Sequence, residues 1–211
     1  MSNAIWTLIY DIAEENRDEY LAWFHEVHIL EKLARDGYEW AGHYQGTDKQ
    51  ATRYIAFFGG TSTRTFFDPS PAQLKTTQDD LTRKMIGMRQ NPCGLVFTEE
   101  WDTQGADIAE RPGAAIVFSA ANAGGNGTTD EAYCARLVQD DMPAFAKADG
   151  SVRGRKLLSA TGPAKHGVLY QFTTDVTRDC FWASQETATG TNLSYVANTP
   201  LAANRIWPPL G

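Results

Sequence analysis

The chain has 211 residues, a net charge of −7 and a pI near 5.1, with 42% hydrophobic and 21% charged residues. An acidic chain without a lysine and arginine cluster argues against a nucleic-acid-binding surface, and its composition is that of a globular protein. No apolar run approaches the roughly 20 residues that span a bilayer, so we expect no membrane segment. The N-terminus lacks the charged region of a signal peptide and the three cysteines lie far apart, which predicts a cytoplasmic protein with reduced thiols.

The first half of the chain predicts the order β-α-β-β-α-β, the signature of a ferredoxin-like sandwich. A helix begins near Asp18 and ends at Gly37, where a left-handed residue is common. A polar segment with Gly and Pro over residues 105–112 predicts a linker. The remaining elements are predicted as strands over residues 5–10, 39–45, 53–58 and 95–101, and a second helix over residues 72–88.

The second half repeats this pattern. Strands are predicted over residues 114–120, 155–159 and 168–173 and in a last strand ending at Trp207, with helices over 130–147 and within 179–196. The sequence that starts at Asp18 resembles, in diverged form, the sequence that starts at Asp130, which predicts two ferredoxin-like repeats over residues 1–104 and 113–211. Aligning the two repeats places Asp141 opposite His28 and Lys156 opposite His43, so the second repeat lacks these histidines.

Three of the four histidines, His25, His28 and His43, fall between residues 20 and 44. On a regular helical wheel, His28 and Glu31 share the apolar side and are neighbours, with His25 at its edge. Histidine titrates near neutral pH, and a carboxylate beside it can fix its tautomer, so the pattern favours acid–base catalysis. A histidine that is simply hydrogen-bonded in a core remains the alternative.

Aromatic residues are numerous enough to form the walls of an apolar pocket. On the strand at residues 39–45, Tyr44 and His43 point to opposite faces, so we expect only one of them to reach a ligand. Candidate pocket residues are Trp6, Tyr10, Trp40, Tyr44 and Tyr170.

Two other kinds of site stay open. A metal ion could be shared by His25, His28 and His43 or a carboxylate, although HEVH lacks the spacing of the HExxH motif. Haem could use a histidine as its axial ligand. The glycine-rich run at residues 123–127 matches no phosphate-binding motif, and we expect a flexible loop there.

One string of residues resembles a known family. It resembles the WxxxxHIP helix and following GF…A…RY strand of the dimeric α+β-barrel superfamily, in its EthD-like branch, through Trp23, His28, Ile29, Gly37, Tyr38, Ala41 and Tyr44. Leu30 and His43 depart from that pattern, at positions where Pro and Arg are usual. The resemblance implies two four-stranded sheets that face each other around a cavity, here within one chain, and further pairing into a homodimer stays open.

We therefore expect an α+β protein of two tandem ferredoxin-like repeats that form a pseudo-dimeric α+β barrel. Its expected function is that of a lyase, isomerase or cyclase that needs no cofactor and acts on a small hydrophobic, aromatic molecule between the sheets. His28 would be the principal base, Glu31 its partner, and His25 and His43 further acid–base groups. The alternative is a non-catalytic module of the same fold that binds a small molecule or mediates assembly.

Overall fold

The computed structural model describes residues 3–47, 52–109, 112–124, 129–186 and 193–209. The first half contains β1 (Ala4–Asp11), α1 (Arg17–Trp23), α2 (Ile29–Leu33), β2 (Tyr38–Gly46), β3 (Arg53–Gly60), α3 (Pro71–Lys75), α4 (Asp80–Gly87) and β4 (Gln90–Gln104). The second half contains β5 (Ala115–Asn122), α5 (Asp130–Arg136), α6 (Met142–Ala146), β6 (Ser151–Thr161), β7 (His166–Phe172), α7 (Asp175–Glu186), β8 (Ser194–Tyr195) and β9 (Leu201–Trp207). None of the described helices is both long and apolar enough to cross a membrane.

The first helix of each half contains one π-helical turn. The turn over Phe24–His28 joins α1 to α2, and the turn over Leu137–Asp141 joins α5 to α6. A π turn inserts one residue into the helix and is frequent at functional sites. The helix of each half continues through its π turn. Thus α1 and α2 form one continuous helix, and α5 and α6 form another.

Eight strands form a closed antiparallel barrel. The strand order β7-β6-β4-β1-β3-β2-β9-β5 closes through the pairing of β5 with β7, and the short β8 adds to β5. The order is β4-β1-β3-β2 in the first half and β6-β7-β5-β9 in the second. The α+β architecture is therefore confirmed, with β2–β9 and β4–β6 as the two seams.

Side chains alternate between the barrel interior and the helix-covered outer face. On β1, Ile5 and Ile9 point inward, whereas Tyr10 packs beneath the helices. The interior is filled by apolar side chains from both halves, including Tyr44, Phe57, Phe97, Phe118, Leu157 and Leu169. Two further apolar clusters lie between the sheet and the helices, one in each half.

The helix predicted over residues 72–88 is two helices. Ser70 caps α3 in a reciprocal capping box, and the hydroxyls of Thr76 and Thr77 donate to backbone carbonyls one turn earlier. Asp79 then caps α4 by accepting from the backbone of Thr82 at 2.8 Å. Threonine and aspartate compete with helical hydrogen bonding in this way, which ends the first helix and starts the second.

Three other sequence predictions differ from the structure or fall outside it. The last helix, expected within residues 179–196, begins earlier, at Asp175. The expected glycine-rich loop falls partly on residues 125–128, and the linker partly on residues 110–111, which are outside the described residues.

Candidate functional site

A cavity of about 490 Å³ lies on the helix side of the sheet in the first half of the chain. Its walls come from β1 and β4, from the helix that contains the π turn, and from the segment that carries α3 and α4. Apolar side chains dominate, and the described lining contains no Asp or Glu. The apolar lining consists of Trp6, Leu8, Phe67, Pro71, Ala72, Leu74, Ile86, Pro92 and Val96. The basic lining residues are His28, Lys32, Lys75 and Arg89.

His28 is the one histidine of the four that lines this cavity. It ends the π turn and is buried, with its ring centroid 4.7 Å from that of Trp23 and 5.4 Å from that of Phe24. Its Nδ1 atom is buried and has no hydrogen-bond partner among the residues that the structure describes. Burial, and then the charges of Arg89, Lys32 and Arg35, lower its pKa to about 2, so the ring is neutral.

Lys32 follows His28 by one helical turn and is 6% exposed. Its Nζ lies 5.2 Å from the ring centroid of Trp6, an attractive cation–π contact. No carboxylate in the described part of the chain forms an ion pair with it. Burial, followed by the charges of Arg35 and Arg89, lowers the pKa of Lys32 from 10.5 to about 8.

Arg89 lies between α4 and β4 and is held by aromatic residues. Its Nε donates to the hydroxyl oxygen of Tyr20 at 2.7 Å, and its guanidinium lies 5.0 Å from the ring centroid of Tyr10 and 5.6 Å from that of Phe24. Its Nη2 is buried without a hydrogen-bond partner in the described part of the chain. No described carboxylate balances the charge of this guanidinium.

A chain of neutral hydrogen-bonded groups runs behind Arg89. The Tyr20 ring lies 5.5 Å from that of Tyr10, the Tyr10 hydroxyl meets His43 Nε2 at 2.9 Å, and His43 Nδ1 meets His25 Nε2 at 2.8 Å. Burial lowers the pKa of His43 well below its usual range and that of His25 to about 4. We call this set, Tyr20, Tyr10, His43 and His25, the buried relay.

The structure brings some of the predicted site residues together and separates others. His25, His43 and Tyr10 meet in the buried relay but do not line the cavity, whereas His28 and Trp6 do. His43 and Tyr44 do lie on opposite faces, because Tyr44 belongs to the barrel interior. Tyr170 packs against Phe145 in the second half.

The predicted pair of His28 and Glu31 is wrong. Glu31 is exposed, and no hydrogen bond joins it to His28. The extra residue of the π turn shifts the side chains that follow it by about one position on the helical wheel. Lys32, one position later, takes the buried place that a regular helix would give to Glu31.

The predicted histidine-bearing cavity between the sheets is also wrong. Close packing of apolar side chains fills the barrel interior, and all four histidines lie outside it. A cleft of about 290 Å³ opens at one end of the barrel, where Trp40 lies beside Arg153, Arg155 and Gln171. Its described lining mixes polar and apolar side chains and contains no histidine.

A metal site shared by the predicted histidines does not form among the described residues. No group of three or more His, Cys, Asp or Glu side chains could hold an ion there. His25 and His43 bond to each other instead of converging with His28. Each of the three cysteines is free.

Lys32 and Arg89 were missed by the sequence reasoning. Lys32 had a usable signal, because it follows His28 by four residues and so lies on the same stripe of the helix. Arg89 had none, because its contact with Tyr20 joins residues 69 positions apart.

No protein-family model matches the sequence, and no curated protein matches it significantly. Solved structures do match. An anthrone oxidase-like protein aligns with a TM-score of 0.62 and 9% identity, over 98% of this chain and 92% of that one. A Lactobacillus acidophilus protein provisionally named a monooxygenase aligns with a TM-score of 0.59 and 13% identity, over 96% of this chain and 94% of that one. A haem-binding protein from Thermus thermophilus aligns with a TM-score of 0.53 and 13% identity, over 97% of this chain and 92% of that one.

The chain has the ferredoxin-like α+β barrel fold. Alignments over more than nine-tenths of both chains, together with the closed strand order, support this conclusion. Identities of 9–13% show a shared fold alone. The activity therefore has to be argued from the cavity.

Haem does not fit the described residues of this chain. An axial histidine normally donates its second ring nitrogen to a carboxylate or carbonyl, but His28 Nδ1 has no partner. His25 and His43 bond to each other, and both nitrogens of His166 are engaged, by Lys156 and Asp130.

Proposed function

We propose that the chain is an enzyme that transfers a proton on a small hydrophobic, aromatic molecule in the helix-side cavity, without a bound cofactor. The observation that carries this proposal is the buried Lys32, whose pKa of about 8 lets it exist as both amine and ammonium near neutral pH. A group with such a pKa is an effective general acid–base catalyst. Lyase, isomerase and cyclase reactions can all start from this proton transfer.

The cavity residues have separate roles in this proposal. The Lys32 amine accepts a proton from the substrate and becomes an ammonium ion beside the new negative charge. Burial, followed by the positive charges of Arg35 and Arg89, lowers the pKa of Lys32 and so keeps a fraction of it neutral. His28, neutral and fixed between Trp23 and Phe24, hydrogen-bonds the substrate as an orienting group.

Oxidation of the same deprotonated substrate by O₂ is the second candidate. The names of two structural neighbours, a monooxygenase and an anthrone oxidase-like protein, favour it. Loss of a proton from anthrone gives an electron-rich carbanion that O₂ can oxidise. The balanced reaction converts anthrone and O₂ into anthraquinone and water.

The test uses anthrone and an anthrone carboxylic acid as probes. Under nitrogen in D₂O, NMR should show faster deuterium exchange at the acidic CH₂ group with the protein than with buffer. Lys32→Met should lose at least about tenfold of this rate, since general acid–base catalysis typically contributes more than that. Lys147→Met, which removes an exposed lysine in the second half, is the matched control.

Exchange no faster than buffer with both probes, or unchanged in Lys32→Met, would contradict the enzyme proposal and favour a binding module. Oxygen uptake measured with the same probes separates the two candidates. Exchange without uptake supports the proton-transfer enzyme, and uptake that depends on Lys32 supports the oxidase.

We also propose that the halves are tandem repeats of one unit and that the barrel is a pseudo-dimer. Both initial helices consist of segments of 7, 5 and 5 residues, with the π turn in the middle. Gly37 and Gly150 follow these helices at matching positions and both have positive φ. The EthD-like resemblance stays part of this proposal, supported by the ring contact between Trp23 and His28.

A further inference from the structure

We propose that the molecule taken by the helix-side cavity is a planar hydrophobic acid whose carboxylate is bound by Arg89, with Tyr20 as the residue that positions the guanidinium. The location rests on the proposed function, because it uses the same cavity. The binding claim is separate from the reaction and can be measured without turnover.

The charge balance around the cavity supports an anionic ligand. A guanidinium is charged at every pH that proteins tolerate, and a partly buried charge without a partner is unfavourable. Arg89 has one side-chain hydrogen-bond partner among the described residues, the neutral hydroxyl of Tyr20. Burial is the main cause of the lowered pKa of His28 and of Lys32, and the positive charge of Arg89 lowers both further.

One donor of Arg89 is engaged and another is unsatisfied. Arginine binds a carboxylate through two parallel N–H donors, and these can come from Nη1 and Nη2 when Nε is already engaged. Tyr20 accepts from Nε at 2.7 Å, and Nη2 is buried without a hydrogen-bond partner among the described residues. The guanidinium that lines the cavity therefore has an unsatisfied donor, which pairing with a carboxylate would satisfy.

The buried relay explains how Arg89 is held without being neutralised. Every member behind the guanidinium is a phenol or an imidazole, and burial raises the pKa of Tyr10 and Tyr20 and lowers that of His43 and His25. All four groups stay uncharged at neutral pH. Tyr20, through its hydroxyl, and Tyr10, through its ring, contact Arg89 and hold it without neutralising its charge.

The rest of the cavity selects for a flat apolar body. Its volume of about 490 Å³ lies within the usual range of small-molecule sites, and Trp6, Leu8 and Val96 provide apolar walls. A small inorganic anion would leave these walls in contact with water. An aromatic carboxylate satisfies both the walls and Arg89.

The experiment is a calorimetric titration of the full chain with 2-naphthoate and with its neutral analogue 2-naphthamide. We expect naphthoate to bind at least about tenfold more tightly, as a charge-assisted pair of hydrogen bonds permits. Arg89→Met should remove this preference while naphthamide binding stays the same. Arg83→Met, an exposed arginine on α4, is the matched control and should retain the preference.

Tyr20→Phe keeps the ring and removes the hydroxyl that holds Arg89. We expect it to reduce the preference for naphthoate and to leave naphthamide binding unchanged, which a general loss of stability would not do. It also gives a second route to the answer if Arg89→Met fails to fold. Equal binding of the two probes, no binding of naphthoate, or an intact preference in both variants would overturn the proposal.

The two proposals fail separately. A clear preference for naphthoate without deuterium exchange on either anthrone probe supports the Arg89 anchor and removes the enzyme. Exchange that depends on Lys32 with no preference for naphthoate does the reverse.

Discussion

The helix layers of the two halves differ in whether their buried cations have partners. In the first half, Lys32 and Arg89 line a cavity of about 490 Å³ and form no ion pair with a described carboxylate. In the second half, Lys156 pairs with Glu100 of β4 at 3.0 Å and Arg136 with Asp141 at 3.2 Å, and His166 hydrogen-bonds Asp130 at 2.8 Å. The corresponding cavity there is about 80 Å³.

One position accounts for much of this difference. Lys32 is the fourth residue of α2, and Phe145 is the fourth residue of α6. Phe145 is fully buried, and its ring lies 4.9 Å from that of Tyr170 and 5.8 Å from that of Phe181. An aromatic residue thus fills the layer in the second half where a lysine leaves space in the first. The helix layer of the second half is therefore packed with aromatic side chains at this position, whereas that of the first half contains positive charge without a described carboxylate partner.

The largest expected effect comes from exchanging these residues in the second half. Phe145→Lys should lower the free energy of unfolding by more than about 4 kcal/mol, because it removes a buried aromatic ring and buries a charge. Phe145→Ala, which leaves a cavity without a charge, should cost about 3–5 kcal/mol. Urea denaturation measures both. A loss below about 1 kcal/mol in each variant would mean that the second half is not the tightly packed one.

The opposite change in the first half should stabilise the protein. The pKa of Lys32 is about 8 in the folded protein against an ordinary 10.5, so the unfolded chain holds the proton more tightly between these values. Folding therefore loses stability as the pH falls from 10.5 to 8, and the loss is constant below that.

Lys32→Met removes this loss, and we expect a gain of about 2 kcal/mol near neutral pH. The gain should disappear above the ordinary pKa of lysine. Unfolding curves for both proteins at neutral and at alkaline pH provide the measurement, with Lys147→Met as the control. A variant that is less stable than the parent at neutral pH would show that Lys32 has a stabilising partner.

The smallest expected effect concerns a feature that the halves share. Gly37 has φ of +84° and Gly150 of +71°, and a Cβ atom would approach the Oγ1 of Thr65 to 2.7 Å in the first case and that of Thr177 to 2.4 Å in the second. Gly37→Ala and Gly150→Ala should each cost about 1–2 kcal/mol, because the left-handed conformation is unfavourable for alanine. Thermal unfolding should show similar losses. A much larger loss in one variant would break the equivalence of the two turns.

Local patterns were enough to predict the order of the elements and the opposite faces of His43 and Tyr44. Strand alternation and turn residues depend on neighbours in sequence, so these features can be read without the fold. The π turn could not be read in this way, so a regular helical wheel placed Glu31 on the apolar stripe, where the structure has Lys32. The contact of Arg89 with Tyr20 and the location of the cavity depend on distant segments, and no local pattern contains them.

The two seams of the barrel have a consequence for how this protein can change. Because β2 pairs with β9 and β4 with β6, every strand of the closed ring finds both neighbours in the same polypeptide. Dilution therefore cannot separate the halves, in contrast to a ring assembled from two identical chains. A substitution on one side has no obligatory copy on the other, so Lys32 could persist in one layer while Phe145 fills the other.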